Sequence, residues 1–125
     1  MIAVDSSSLI AFLGGDSGSD VNAVEDALNA QALILPPVVL TEILSDPKLP
    51  KQVVNTLLGL PTLDILPGYW ERAGKTRAKI LVRRFKVRVA DALIAQSCLD
   101  YDTPLITRDR DFRHFEKFAQ LKVIW

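Results

Sequence analysis

Short, uninterrupted apolar runs alternate along this chain with stretches whose apolar residues recur every three or four positions. The first run, Ile2-Ala3-Val4, stops at Asp5 and is followed by Ser6, Ser7 and Ser8. This predicts a buried strand over residues 2–5 feeding a helix whose face carries Leu9, Ile10 and Leu13. A Gly- and Ser-rich loop at 14–19 leads to a second helix marked by Val21, Val24, Ala27 and Leu28, with Ser19 or Asp20 available as its cap. Residues 32–35 read as a second strand, stopped by Pro36-Pro37. Helical spacing resumes over 38–45 and again around Val53, Val54, Leu57 and Leu58, where Gly59 ends it.

Residues 63–66, between Pro61 and Pro67-Gly68, read as a third strand. A helix is expected from Tyr69 to about Leu81, with Trp70, Ala73, Arg77, Ile80 and Leu81 on one side. Residues 83–88 are too charged for a core and read as loop. A helix over 89–99, a fourth strand over 105–107 and a fifth over 122–125 complete the pattern. Continuous apolar strands alternating with helices argue for an α/β domain over residues 1–125, its mainly parallel sheet of about five strands covered on both faces.

Composition narrows this picture. At 125 residues and 49% hydrophobic, the chain can bury a core as one domain and is too apolar for disorder. No apolar run reaches membrane-spanning length and no basic leader opens the chain, so a cytoplasmic protein with no membrane partner is expected. The single Cys98 cannot form an intrachain disulfide, which suits a reducing compartment; it reads as a core residue. The only histidine, His114, reads as a surface residue of the last helix.

The formal net charge is zero, but its distribution is uneven. Residues 1–47 hold seven acids and no Lys or Arg, whereas Arg72 to Arg88 carries eight basic residues and no acid. That basic segment is where a polyanion would bind.

Four acids sit where a plain fold does not need them. Asp5 ends the first strand, Glu42 lies within Val39-Leu40-Thr41-Glu42-Ile43, Asp91 opens an apolar helix, and Asp109 follows the fourth strand. Singly, each has an ordinary role as cap, first-turn acid, solvated residue or turn residue. In a parallel sheet, however, strand ends and the starts of following helices converge on one edge, which pushes Asp5, Asp91 and Asp109 together. Clustered carboxylates repel unless a cation lies among them. An all-oxygen donor set suits Mg²⁺ or Mn²⁺ and not zinc, and such ions promote phosphodiester hydrolysis.

With these residues the chain resembles the PIN-domain ribonucleases, and among them the VapC-type toxins of toxin–antitoxin pairs. The likeness spans essentially the whole chain and rests on Val4-Asp5-Ser6-Ser7, Thr41-Glu42-Ile43-Leu44, Ala90-Asp91-Ala92-Leu93-Ile94-Ala95 and Leu105-Ile106-Thr107-Arg108-Asp109-Arg110-Asp111-Phe112. It implies a three-layer α/β/α sandwich and a metal-dependent endoribonuclease, with Asp5, Glu42, Asp91 and Asp109 as catalytic metal ligands. Ser7 and Thr107 would support the first carboxylate or the phosphate, and Asp111 would be an auxiliary acid, Asp109 being preferred as fourth ligand. Arg83, Arg84, Lys86 and Arg88 then become the footing for an RNA backbone. A homodimer and an inhibitory antitoxin partner are also implied. The alternatives are an inert PIN-like module that only binds RNA or protein, and a receiver-like domain with Asp5 as phospho-acceptor.

Overall fold

A computed structural model describes the whole chain, residues 1–125. Four strands form one parallel sheet: β1 (Ile2–Val4), β2 (Leu33–Ile34), β3 (Leu105–Ile106) and β4 (Val123–Ile124), in the order β2-β1-β3-β4. The registers pair Ile2 with Leu33, Ala3 with Leu105 and Leu105 with Val123. Successive strand residues face opposite ways, and Ala3, Val4, Leu105 and Ile106 are all fully buried. Both faces of the central strand pair are therefore covered by helices, which is why these strands are apolar without alternation.

Seven α-helices surround the sheet: α1 (Ser6–Leu13), α2 (Ser19–Asn29), α3 (Pro37–Leu44), α4 (Lys51–Leu58), α5 (Tyr69–Leu81), α6 (Val89–Asp100) and α7 (Arg113–Ala119). A 3₁₀ turn over Arg110–Phe112 precedes α7. Helix α1 packs on α2 and α3, α3 on α6, and α5 on α6 and α7. Pro37 sits at the start of α3, where a missing N–H costs no intrahelical bond. No helix is long and apolar enough to cross a membrane.

The sheet has four strands rather than five. Residues 63–66 meet it only at an isolated parallel bridge between Leu35 and Thr62. There the Leu35 N–H donates to Pro61 O and the Leu63 N–H to Leu35 O, both at 2.9 Å. Pro61 has no N–H for the ladder, and beyond Leu63 the segment is exposed and turns at Gly68, whose φ is +81°.

Three further expectations shift. Helix α5 buries Tyr69, Ala73, Thr76 and Ile80, leaving Trp70 60% and Leu81 41% exposed, so its core face is rotated from the one expected. His114 is buried, not on the surface, because α7 turns it against Phe85, the ring centroids 4.3 Å apart. Helix α2 begins after Gly18 with no side-chain cap; Asp20 turns instead to Arg108.

Candidate metal centre

From the central strand β1, the chain lays β2 on one side and β3 on the other. The carboxyl ends of β1 and β3 therefore flank the point where strand order reverses, the place where open parallel sheets form a crevice. Asp5 follows β1 directly, and Thr107 and Asp109 follow β3.

Asp5 is both a helix cap and a site residue by position. Its extended backbone (φ −86°, ψ 161°) starts α1, and its Oδ1 accepts the Ser7 N–H at 2.6 Å. Its Oδ2 accepts the Ser7 hydroxyl at 2.9 Å and the Thr107 hydroxyl. Thr107 in turn accepts the Asp109 N–H at 3.0 Å, so one buried hydroxyl ties the ends of β1 and β3 together. Burial pushes the Asp5 carboxyl above its ordinary range, with the Asp109 charge adding to it and the Thr107 and Ser7 hydrogen bonds opposing. Cys98 is fully buried, and burial raises its thiol to about 12, consistent with a core residue.

The acids themselves converge. Carboxylate oxygens of Asp91, Asp109 and Asp111 lie within 4.8 Å of one another. Asp109 Oδ1 caps the 3₁₀ turn by accepting the Asp111 N–H at 2.9 Å, which fixes both acids on one tight turn. Asp91, in the first turn of α6, is fully buried. Its carboxyl is also raised, first by burial and then by the Asp109 and Asp111 charges, while Arg88 opposes the shift. Arg88 faces it with a fork, Nη2 at 2.9 Å from Oδ1 and Nε at 3.3 Å from Oδ2, and Nη2 lies 3.7 Å from Asp109 Oδ2.

Glu42 comes from α3 and stands apart from the tight trio. Its Oε1 accepts the Ser6 hydroxyl at 2.6 Å, so the residue after Asp5 anchors it beside the start of α1. Of the sequence candidates, then, Asp91 and Asp109 meet directly and Asp111 joins them as a full member of the cluster. Asp5 is linked through Thr107, and Glu42 through Ser6. Arg83, Arg84 and Lys86 are exposed on the loop before α6, and the ion pairs to the clustered acids come from Arg88 alone; Arg83 lies over the Phe118 ring, 4.4 Å from its centroid. Ser6 is an addition, and Arg88, expected with the RNA-facing basic residues, instead pairs with Asp91 and Asp109. Ser6 and Glu42, 36 residues apart, left no signal in the sequence.

A lock outside the cluster holds its frame. Arg108, next to Thr107, donates to both Asp20 oxygens (2.7 and 3.1 Å), to Asp16 (2.9 Å) and to Ser17 O (3.1 Å). Ser8 donates to the same Asp20 at 2.8 Å. The end of β3 is thereby bound to the loop between α1 and α2.

The donor set fits a hard divalent ion. It is all oxygen, it concentrates like charges at one point with a single exposed cation beside them, and no His or Cys offers a softer ligand.

A family model described as "PIN domain" matches residues 2–118. No curated protein sequence matches the chain significantly. Among solved structures, VapBC2 from Rickettsia felis bound to a DNA fragment from its promoter is similar at 18% identity and a TM-score of 0.74, covering 100% of this chain and 99% of that one. FitAcB from Neisseria gonorrhoeae is similar at 18% identity and a TM-score of 0.72, covering 100% and 97%. VapBC-5 from Mycobacterium tuberculosis, of the VapBC family of toxin–antitoxin systems, is similar at 18% identity and a TM-score of 0.66, covering 98% and 96%.

Proposed function

The chain belongs to the PIN domain family, and from that premise we propose that it is a divalent-metal-dependent endoribonuclease acting as the toxin of a toxin–antitoxin pair. The observation that carries this reading is the meeting of Asp91, Asp109 and Asp111 within 4.8 Å at the carboxyl edge of the sheet. Asp5, Glu42, Asp91 and Asp109 would hold Mg²⁺ or Mn²⁺, with Asp111 alongside. The ion would supply charge neutralisation for the phosphodiester and a water acidified enough to attack it. Ser7 and Thr107 hold the Asp5 carboxylate through three hydrogen bonds, and Ser6 holds Glu42. Arg83, Arg84 and Lys86 present positive charge on the loop leading to Asp91, where an RNA backbone would be drawn in.

Single-stranded RNA incubated with the purified protein is expected to be cleaved with Mg²⁺ or Mn²⁺, giving products with 5′ phosphates, and to stay intact with a chelator. Cleavage that is equal in chelator overturns the metal-dependent reading.

Two protein partners belong to the same reading. A groove between α5 and α6 is lined by Trp70, Leu81, Val89 and Leu93, with Arg77 its only charged wall residue. Arg77 already commits its Nε to Val87 O at 3.0 Å. With Trp70 60% and Val89 56% exposed, this nearly uncharged face suits the self-complementary contact of a two-fold homodimer. Trp70→Glu is expected to convert a dimer to a monomer, read by light scattering; a wild-type monomer, or a variant that remains dimeric, removes this interface. The antitoxin partner is supported by the complexes formed by the VapBC structures and by a second groove beside Glu42, lined by Ile10, Leu13, Ile43, Leu49 and Val53.

A further inference from the structure

The only ion pairs made by the clustered acids come from one residue, Arg88. Its fork takes both oxygens of Asp91 (2.9 and 3.3 Å) and leans on Asp109 at 3.7 Å. Arg88 therefore stands between acids from α6 and from the end of β3.

An ordinary helix-stabilising pair does not account for this placement. Arg88 is the N-cap residue of α6 and has no side-chain cap bond. A cation at a helix N-terminus faces the positive end of the dipole and is disfavoured there. What offsets that cost is the carboxylate cluster. The guanidinium is also easily displaced: its side chain is 65% exposed, and its backbone is extended, just outside the helix. Leaving the acids breaks no core packing.

Given the metal-site reading above, we propose that Arg88 is a built-in competitor for the metal: guanidinium and divalent ion occupy the acid centre in turn, and Arg88 sets the concentration at which the ion binds. The two oppose each other at Asp91, since Mg²⁺ takes a carboxylate oxygen at about 2.0–2.1 Å and would there sit beside a permanent positive charge already bonded to both oxygens. Arginine stays charged across the physiological range, so the competition does not switch off with pH. Once displaced, the fork remains tethered three residues from Asp91, within reach of any phosphate brought to the site, which it matches in shape and charge.

Mn²⁺ binding measured by calorimetry on the full chain, without RNA, tests this. Arg88→Gln is expected to bind Mn²⁺ about two- to fivefold more tightly than wild type, the range for releasing an ion pair whose cation is exposed. Arg88→Lys, which keeps the charge but loses the fork, is expected to fall between them. As a second readout, Mn²⁺ should raise the melting temperature of Arg88→Gln by more than that of wild type. Equal or weaker affinity in Arg88→Gln overturns the competitor role while leaving the metal site standing. No Mn²⁺ binding by either protein at millimolar ion overturns the metal-site reading, and the competitor role with it.

Discussion

Asp91→Asn is expected to abolish the proposed metal-dependent RNA cleavage, with kcat/KM falling by at least about 10²–10³-fold, the scale for losing one charge-stabilising group at a reacting centre. The substitution replaces an oxygen with an amide of the same shape, at a fully buried position. It removes the charge that an ion needs and keeps an oxygen for the Arg88 fork. The fold should not suffer. Burial raises the Asp91 carboxyl above its ordinary range. The folded protein thus binds that proton more tightly than the unfolded chain, and the ionised Asp91 subtracts from stability as pH rises through the folded value. At neutral pH the metal-free Asn variant, which cannot carry that charge, is expected to melt at the same temperature or higher. Activity and melting measured on one preparation separate a lost ligand from a lost fold. Undiminished cleavage by Asp91→Asn, and likewise by Asp5→Asn, would sink the assignment of these acids.

Arg108→Ala has the largest expected effect on stability, about 2 kcal/mol at neutral pH, on the scale of about 1.4 kcal/mol for each tenfold change in the proton affinity of Asp20. Arg108 holds the Asp20 carboxyl down to about 2 from an ordinary 3.8, against the opposing effect of burial. Removing the guanidinium leaves the buried Asp20 with only the Ser8 hydroxyl and the backbone to face its charge. The melting temperature should drop by roughly 5–10 °C for a domain of this size. Because the folded value is depressed, this stability is present above the ordinary carboxylate range and is lost as pH falls from 3.8 towards about 2. The two proteins should therefore differ fully at pH 7 and converge in strong acid. Equal melting temperatures at pH 7 would show that the Arg108 network adds nothing. The same network demands glycine at position 18: with φ at +144°, a Cβ there would stand 2.7 Å from Asp20 Oδ1.

Local pattern carried most of the fold. The apolar runs at residues 2–4, 33–34, 105–106 and 123–124 became the four strands, since a strand covered on both faces can be recognised by its lack of polar positions. Where local pattern misled, tertiary packing decided. Leu63-Asp64-Ile65-Leu66 has strand-like composition but lies outside the sheet's edge, with Pro61 unable to donate. Trp70 fits the helical period of α5, yet α6 and α7 pack against a face turned one residue away, towards Tyr69. His114, polar in isolation, is covered because Phe85 stacks on it.

The acids divide in the same way. The sequence by itself determined which carboxylates exist at strand ends and helix starts, because chain order and the rules of parallel sheets force those positions to one edge. It also determined that Asp5 would be capped by local bonds, since Ser7 is two residues away. Only the tertiary structure decided how the acids group. The 3₁₀ turn made Asp109 and Asp111 joint neighbours of Asp91, Thr107 reached across from β3 to Asp5, and Ser6 took hold of Glu42. It also placed Arg88 against the carboxylates instead of leaving it in solvent with the other basic residues of its loop. The physical reason is range: caps and strand burial act within a few residues, whereas a charge finds its partners only after the sheet has brought distant segments within a few ångströms.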